Sequence, residues 1–216
     1  MSLWIKICGN TSLEDARLAA DAGANAVGFV FAPSPRRVIV EQVAAITHKL
    51  PSSIEKIGVF VDASFDEIET AVQASGLTGV QLHLAGSFDL AARLRKRFGP
   101  ELRILRVLHF GPDLKERAAA AAGDTNVDAI LIDSRTATAA GGTGIAFDWD
   151  AAEAVFRGAG TRLVVAGGLS PANVREAIRK LRPWGVDVVS GVEAEPGRKD
   201  PAKVREFVRI AQNQSL

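Results

Sequence analysis

The chain has 216 residues, 47% of them hydrophobic, enough for one sizeable core and a single domain spanning residues 1–216. Lys and Arg number 26 against 25 Asp and Glu, a balance that argues against a nucleic-acid partner, which normally draws a strong basic excess. One cysteine, Cys8, excludes an internal disulfide framework and fits a reducing compartment. The stretch Met1-Ser2-Leu3-Trp4-Ile5-Lys6 reaches a charge at once, so neither a signal peptide nor a membrane span is expected there and a cytoplasmic location is.

Short apolar runs, rich in β-branched residues, recur along the chain at 3–7, 26–31, 57–61, 79–83, 103–108, 129–133, 163–166 and 186–190. Four to six near-continuous apolar residues are what a strand buried on both faces requires. Amphipathic stretches with helix signals separate them. Thr11-Ser12-Leu13-Glu14-Asp15 offers a hydroxyl cap and early acids, and Gly23, Gly76 and Gly158 close helices. Leu90-Ala91, Leu94 and Phe98 form an apolar stripe in the fourth helix, whose Arg93–Arg97 basic run reads as its solvated face. The alanines at 118–122 read as helix, and Ser170-Pro171 as the opening of the seventh. Eight strands alternating with eight helices predict an α/β fold, a single (β/α)8 TIM barrel, since repeated right-handed crossovers close a parallel sheet on itself. A doubly wound open sheet competes, but it usually shows a Gly-rich turn after strand one, where this chain reads Ile7-Cys8-Gly9-Asn10.

Barrel active sites sit at the carboxyl ends of the strands. Read in order, those ends carry Cys8, Asp62, His83, His109, Asp133 and Ser190. Cys8, His83 and Asp133 are three groups able to move protons at one mouth. The loop after strand two adds Arg36 and Arg37 beside Pro33 and Pro35. Gly142 and Gly144, Gly167 and Gly168, and Ser190 with Gly191 mark three segments whose backbone N–H groups can approach an anion, so a phosphorylated small molecule is the expected partner. Each feature also has a plain structural account: a buried thiol, a histidine on a backbone carbonyl, a helix-capping aspartate, surface arginines, ordinary turns. Their joint placement favours a site. Strand alternation further turns Lys6 inward beside Cys8, and barrel closure brings Asp187 next to it. Such a pair either supports the thiolate or is purely structural.

The motifs Lys6-Ile7-Cys8-Gly9, Gly28-Phe29-Val30-Phe31, Ser34-Pro35-Arg36-Arg37, Gln81-Leu82-His83, Leu131-Ile132-Asp133-Ser134, Gly141-Gly142-Thr143-Gly144, Gly167-Gly168-Leu169, Ser190-Gly191-Val192-Glu193 and Gly197-Arg198-Lys199-Asp200 follow one another along nearly the whole chain. In this order the sequence resembles the phosphoribosylanthranilate isomerase family of tryptophan synthesis. The resemblance implies an Amadori rearrangement without metal or cofactor, with Cys8 as general base and Asp133 as general acid. It also implies an arginine on the anthranilate carboxylate, for which the spacing from Cys8 favours Arg37 over Arg36. Lys6, His83 and Asp187 would support these groups. Two departures stand out: Leu84-Ala85-Gly86 follows His83 where the family has Gly and then an acid, and Val189-Ser190 replaces two serines.

Three other readings remain. A histidine-pathway ribotide isomerase typically carries an acid where this chain has Cys8 and is longer. A pentulose-phosphate epimerase wants metal ligands at several strand ends, and a non-catalytic barrel has no use for both Cys8 and Asp133. The sequence is compatible with a monomer or a homodimer.

Overall fold

The structure is a computed structural model and describes residues 3–83, 89–133, 149–158 and 160–213. Eight parallel strands close into a barrel: β1 Trp4–Ile7, β2 Ala26–Val30, β3 Glu55–Val61, β4 Gly79–His83, β5 Arg103–His109, β6 Ala129–Asp133, β7 Leu163–Ala166 and β8 Gly185–Val188. Closure is made by β1 on β8, with Lys6 opposite Asp187 and Ile7 opposite Val188. Helices follow the strands: α1 Leu13–Asp21, α2 Val40–Thr47, α3 Phe65–Ser75, α4 Asp89–Phe98, α5 Leu114–Ala122, α6 Trp149–Gly158, α7 Val174–Leu181 and α8 Pro201–Gln212.

The strands are apolar on both faces because each face has a core of its own. Inward-pointing Trp4, Ala26, Ile57, Leu105, Val107, Ala129, Leu131, Val164 and Ala166 fill the barrel, mixing large and small side chains so that the interior packs without a pore. The alternate residues, among them Ile5, Ile7, Phe29, Ile104 and Val186, pack outward under the helices against Leu94, Ile178 and Phe207. Side-chain caps fix several helix starts. Ser12 accepts from the Asp15 amide, Ser64 and Glu67 form a reciprocal capping box, and Asp200 accepts from Ala202 and Lys203 just ahead of Pro201. Such caps are worth about 1 kcal/mol each. Gly76, at φ 61°, ends α3 in the left-handed conformation that a Cβ would disfavour.

Three sequence expectations shift. Strand eight stops at Val188, so Ser190 is not its last residue but opens a 3-10 turn, Ser190–Val192. The seventh helix begins at Val174, not at Ser170-Pro171: Asn173 Oδ1 accepts from the Ser170 amide and holds residues 171–173 in a separate turn. A short antiparallel hairpin, β9 Glu193–Glu195 with β10 Arg198–Lys199, follows strand eight and was not expected. The basic run of α4 is less free than a solvated face: Arg95 donates to Gly99 O, Leu102 O, Asn126 O and Asp128.

The amino-terminal end of the barrel is closed by structural contacts. Trp4 stacks on Trp184 with ring centroids 5.2 Å apart, and Arg103 pairs with both carboxylate oxygens of Glu55. A cleft lined by Glu55, Thr78, Glu101, Arg103 and Asp128 lies at this end, away from the strand termini that carry His83 and Asp133.

Candidate active site

Cys8 is the first residue past β1, yet its amide still donates to Val188 O at 2.9 Å, so the thiol is held by the barrel rather than by a loop. It is 3% exposed. Space for it is made by Gly28 on β2, where a Cβ would lie 2.5 Å from Cys8 Sγ and 3.0 Å from Lys6 Cε. One residue pair below, Lys6 Nζ donates to Asp187 Oδ1 at 2.9 Å. The Lys6 side chain is wholly buried, which is tolerable only because the carboxylate compensates the charge. Burial alone would lower the lysine, but Asp187 and the nearby Cys8 thiolate hold it above its ordinary value. Cys8 shifts the same way for a different reason: burial pushes the thiol up, Asp187 adds to this, and Lys6 and Lys199 pull it down only in part.

Asp133 ends β6 and is 3% exposed. Counting around the ring through β8 and β7, it stands three strands from Cys8, on another wall of the same mouth. Its register partner on β5 is His109, whose ring lies 5.8 Å from that of His83 on β4. Beneath them the buried Gln81 reaches His83 Nε2 with its amide nitrogen at 3.2 Å. Sequence reading passed over Gln81 because an inward glutamine in an apolar strand has no motif of its own.

Loop two separates the two arginines. Arg36 is half-buried and committed: its Nε and Nη2 donate to Glu193 Oε1 and Oε2 at 2.8 and 2.6 Å. The expectation that Arg36 is a surface residue is therefore corrected. Arg37 is exposed, and no carboxylate among the described residues lies within ion-pair distance of it. Its backbone is fixed by a bridge to Val30 and by its amide donating to Ser34 O.

Loops seven and eight meet. Gly167 and Gly168 both take positive φ, 85° and 63°, and Asn173 Nδ2 braces the turn from Gly168 O. Gly191 passes so close that a Cβ there would sit 1.8 Å from Leu169 O, so only glycine lets the two loops touch. Ser190 lies exposed beside it. Gly142 and Gly144 fall outside the described residues.

Sequence reading also missed Glu193 and Lys199. Buried Lys199 donates from Nζ to Cys8 O at 2.5 Å, to Val189 O at 3.4 Å and to Glu193 Oε1 at 3.3 Å. Both lie inside quoted motifs, but nothing in their spacing shows that they meet Arg36, 157 positions from Glu193.

The family profile described as N-(5'-phosphoribosyl)anthranilate isomerase matches residues 5–210. The chain belongs to that family. It is 46% identical to the N-(5'-phosphoribosyl)anthranilate isomerase of Pelobacter propionicus, over 96% of this chain and 94% of that one. Among solved structures, the phosphoribosyl anthranilate isomerase of Thermotoga maritima superposes with a TM-score of 0.87 at 35% identity, covering 98% of this chain and all of that one. A phosphoribosyl anthranilate isomerase in complex with reduced 1-(o-carboxyphenylamino)-1-deoxyribulose 5-phosphate gives 0.84 at 34% identity with the same coverage.

Proposed function

We propose that this isomerase converts N-(5-phosphoribosyl)anthranilate to 1-(2-carboxyphenylamino)-1-deoxyribulose 5-phosphate, as its relatives' names imply, in tryptophan biosynthesis. The observation that carries the reading is the placement of Cys8 and Asp133 at the carboxyl ends of two strands, three apart around one mouth. Asp133 gives its proton to the ribose ring oxygen, and the C1–O bond breaks as the anthranilate nitrogen supplies the electron pair that makes the iminium. Cys8 thiolate then removes the C2 proton, and those electrons flow back to nitrogen to give the enolamine. Transfer of the C2 hydroxyl proton to solvent and of a proton to C1 completes the ketone. The substrate's nitrogen supplies the electron pair for ring opening and takes it back on deprotonation at C2, so general acid–base chemistry suffices. Each turnover leaves Asp133 ionised and Cys8 protonated, and both must be reset through solvent.

The two ends of the substrate are recognised differently. The glycine backbone of loops seven and eight takes the phosphate, with Gly167, Gly168, Ser190 and Gly191 as its described members, and Gly142 and Gly144 are proposed to join them. Arg37 takes the carboxylate, because Glu193 already holds Arg36 and Arg37 is exposed on the same loop. Lys6, held in place by Asp187, supports the thiolate from below.

Turnover of Cys8→Ser and Asp133→Asn tests the assignment. Each substitution is close to isosteric and removes one proton-transfer group, so kcat should fall by about 10²–10⁴-fold while affinity for a reduced product analogue is kept. Wild-type turnover in either variant would remove that residue from the reaction.

A further inference from the structure

Among the described residues two large apolar side chains stay exposed, Ile39 at 57% and Val61 at 46%. Single exposed apolar residues are ordinary on a protein surface, but these two face the same part of the mouth. Val61 ends β3, where Ile57 fills the barrel and Phe60 packs outward, so alternation turns Val61 inward over the mouth. Ile39 follows loop two. Its neighbour Val38 is buried in the core under the helices. Arg37 sits in a bridge to Val30 and Ile39 has extended backbone, φ −108° and ψ 163°, so both point away from Val38, toward the mouth. Ile39 therefore shares its face with Arg37, about 6–7 Å along the chain.

The two apolar side chains stand on either side of β2. Gly28 O and Val30 O accept from the Asn10 and Val38 amides, which places the segment 37–39 on the β1 edge of β2. On the other edge the Phe31 amide donates to Val59 O of β3. Two strand spacings put the backbones of that segment and β3 about 10 Å apart. Half-buried Val30 forms the floor between them. A flat ring touching both walls needs about 7–8 Å between facing atoms, the sum of two van der Waals contacts, and fits that gap. We infer that Ile39 and Val61 are specificity-determining residues that clasp the aromatic ring of the substrate while Arg37 holds its carboxylate. The ring is the fitting occupant because the carboxylate is bonded to it, so an anion held at Arg37 brings the ring to Ile39. The order around the barrel agrees. The slot at β3 and β2, Cys8 past β1, and the glycine turns after β8 and β7 follow one another as the ring, C2 and the phosphate do along the substrate.

The inference rests on the proposed substrate, and the test separates the two. Two ligands are titrated calorimetrically into the full chain: the reduced product analogue, and the same phosphorylated polyol carrying a 2-carboxyethylamino group. The second keeps two carbons between nitrogen and carboxylate but has no ring. Ile39→Ser and Val61→Ser should each lower affinity for the aromatic ligand by about five- to tenfold. Its heat-capacity change of binding should become less negative, because less apolar surface is buried. Affinity for the ring-free ligand should hold, and Ile39→Leu should keep wild-type affinity for both. Equal losses for the two ligands, or none for either, would overturn the ring contact and leave the substrate standing. A second copy of the chain seated on this rim would show as concentration-dependent association in sedimentation, weakened by Ile39→Ser without any selective loss, and would overturn it too. A wild-type protein that binds neither ligand would overturn the substrate reading and the inference with it.

Discussion

At the scale of single residues, the mouth is a case of paired compensation. Lys6, fully buried, is kept charged by one carboxylate, and the thiol above it is shifted toward its neutral form by burial. The sign for activity follows. A base whose protonated form is favoured works better as pH rises, so kcat/KM should climb through the thiol's midpoint on the alkaline side of the ordinary thiol range. The arginines separate for a simple reason, the presence of Glu193 beside one and not the other. Arg37→Ala should weaken a product analogue by about 1.5–3 kcal/mol, the range for a hydrogen bond to a charged group. Affinity for the same ligand without its carboxylate should be unchanged. Isothermal titration with the two ligands checks this. Equal losses for both would make Arg37 a structural or phosphate contact, and a selective loss at Arg36→Ala instead would reverse the choice between them.

At the scale of elements, the strands were legible because burial on both faces leaves a continuous apolar run that few other structures produce. All eight runs fall on their strands within two residues at either end, and the eighth overruns by two. Val188-Val189 continues the apolar signal, but the chain turns at Ser190. The inward pair Lys6–Asp187 could be read from alternation and closure alone, since the period of two and the β1–β8 register leave no other partner. The hairpin could not. Glu193–Glu195 is short and mostly charged, and what stabilises it is contact with Arg36 and Cys8, which sequence distance hides. This hairpin carries its own pH signature. Burial pushes the Glu193 carboxyl up, but the Arg36 hydrogen bonds and the Lys199 charge outweigh it and hold the group below the ordinary glutamate range. A depressed acid stabilises the fold above its unfolded value and loses that contribution as pH falls through the folded one. Glu193→Gln should therefore lower stability by about 3 kcal/mol at neutral pH, as expected when one partner of a buried ion pair is removed. It should also flatten the acid side of the Tm–pH curve. A curve as steep as wild type would place the acid sensitivity elsewhere.

For the whole molecule, barrel closure turns eight local strand ends into one site. Residues from β1, β6 and the segment after β8, remote in sequence, come to share a mouth, while the opposite end is sealed by Trp4 on Trp184. This division explains why the fold and the strand-end placement of Cys8 and Asp133 could be read from sequence and the surrounding charges could not. The pair lies on strand ends whose position the pattern dictates, and Arg36, Glu193 and Lys199 lie in connections that only the closed barrel brings together. The central claim is that this mouth isomerises a phosphoribosyl anthranilate by acid–base chemistry alone. The most direct measurement is the loss of anthranilate-type fluorescence when purified protein, dialysed against a metal chelator, is mixed with N-(5-phosphoribosyl)anthranilate. The account predicts full conversion to the ribulose product at a rate unchanged by chelation. No conversion, or conversion only after a divalent cation is added back, would contradict it.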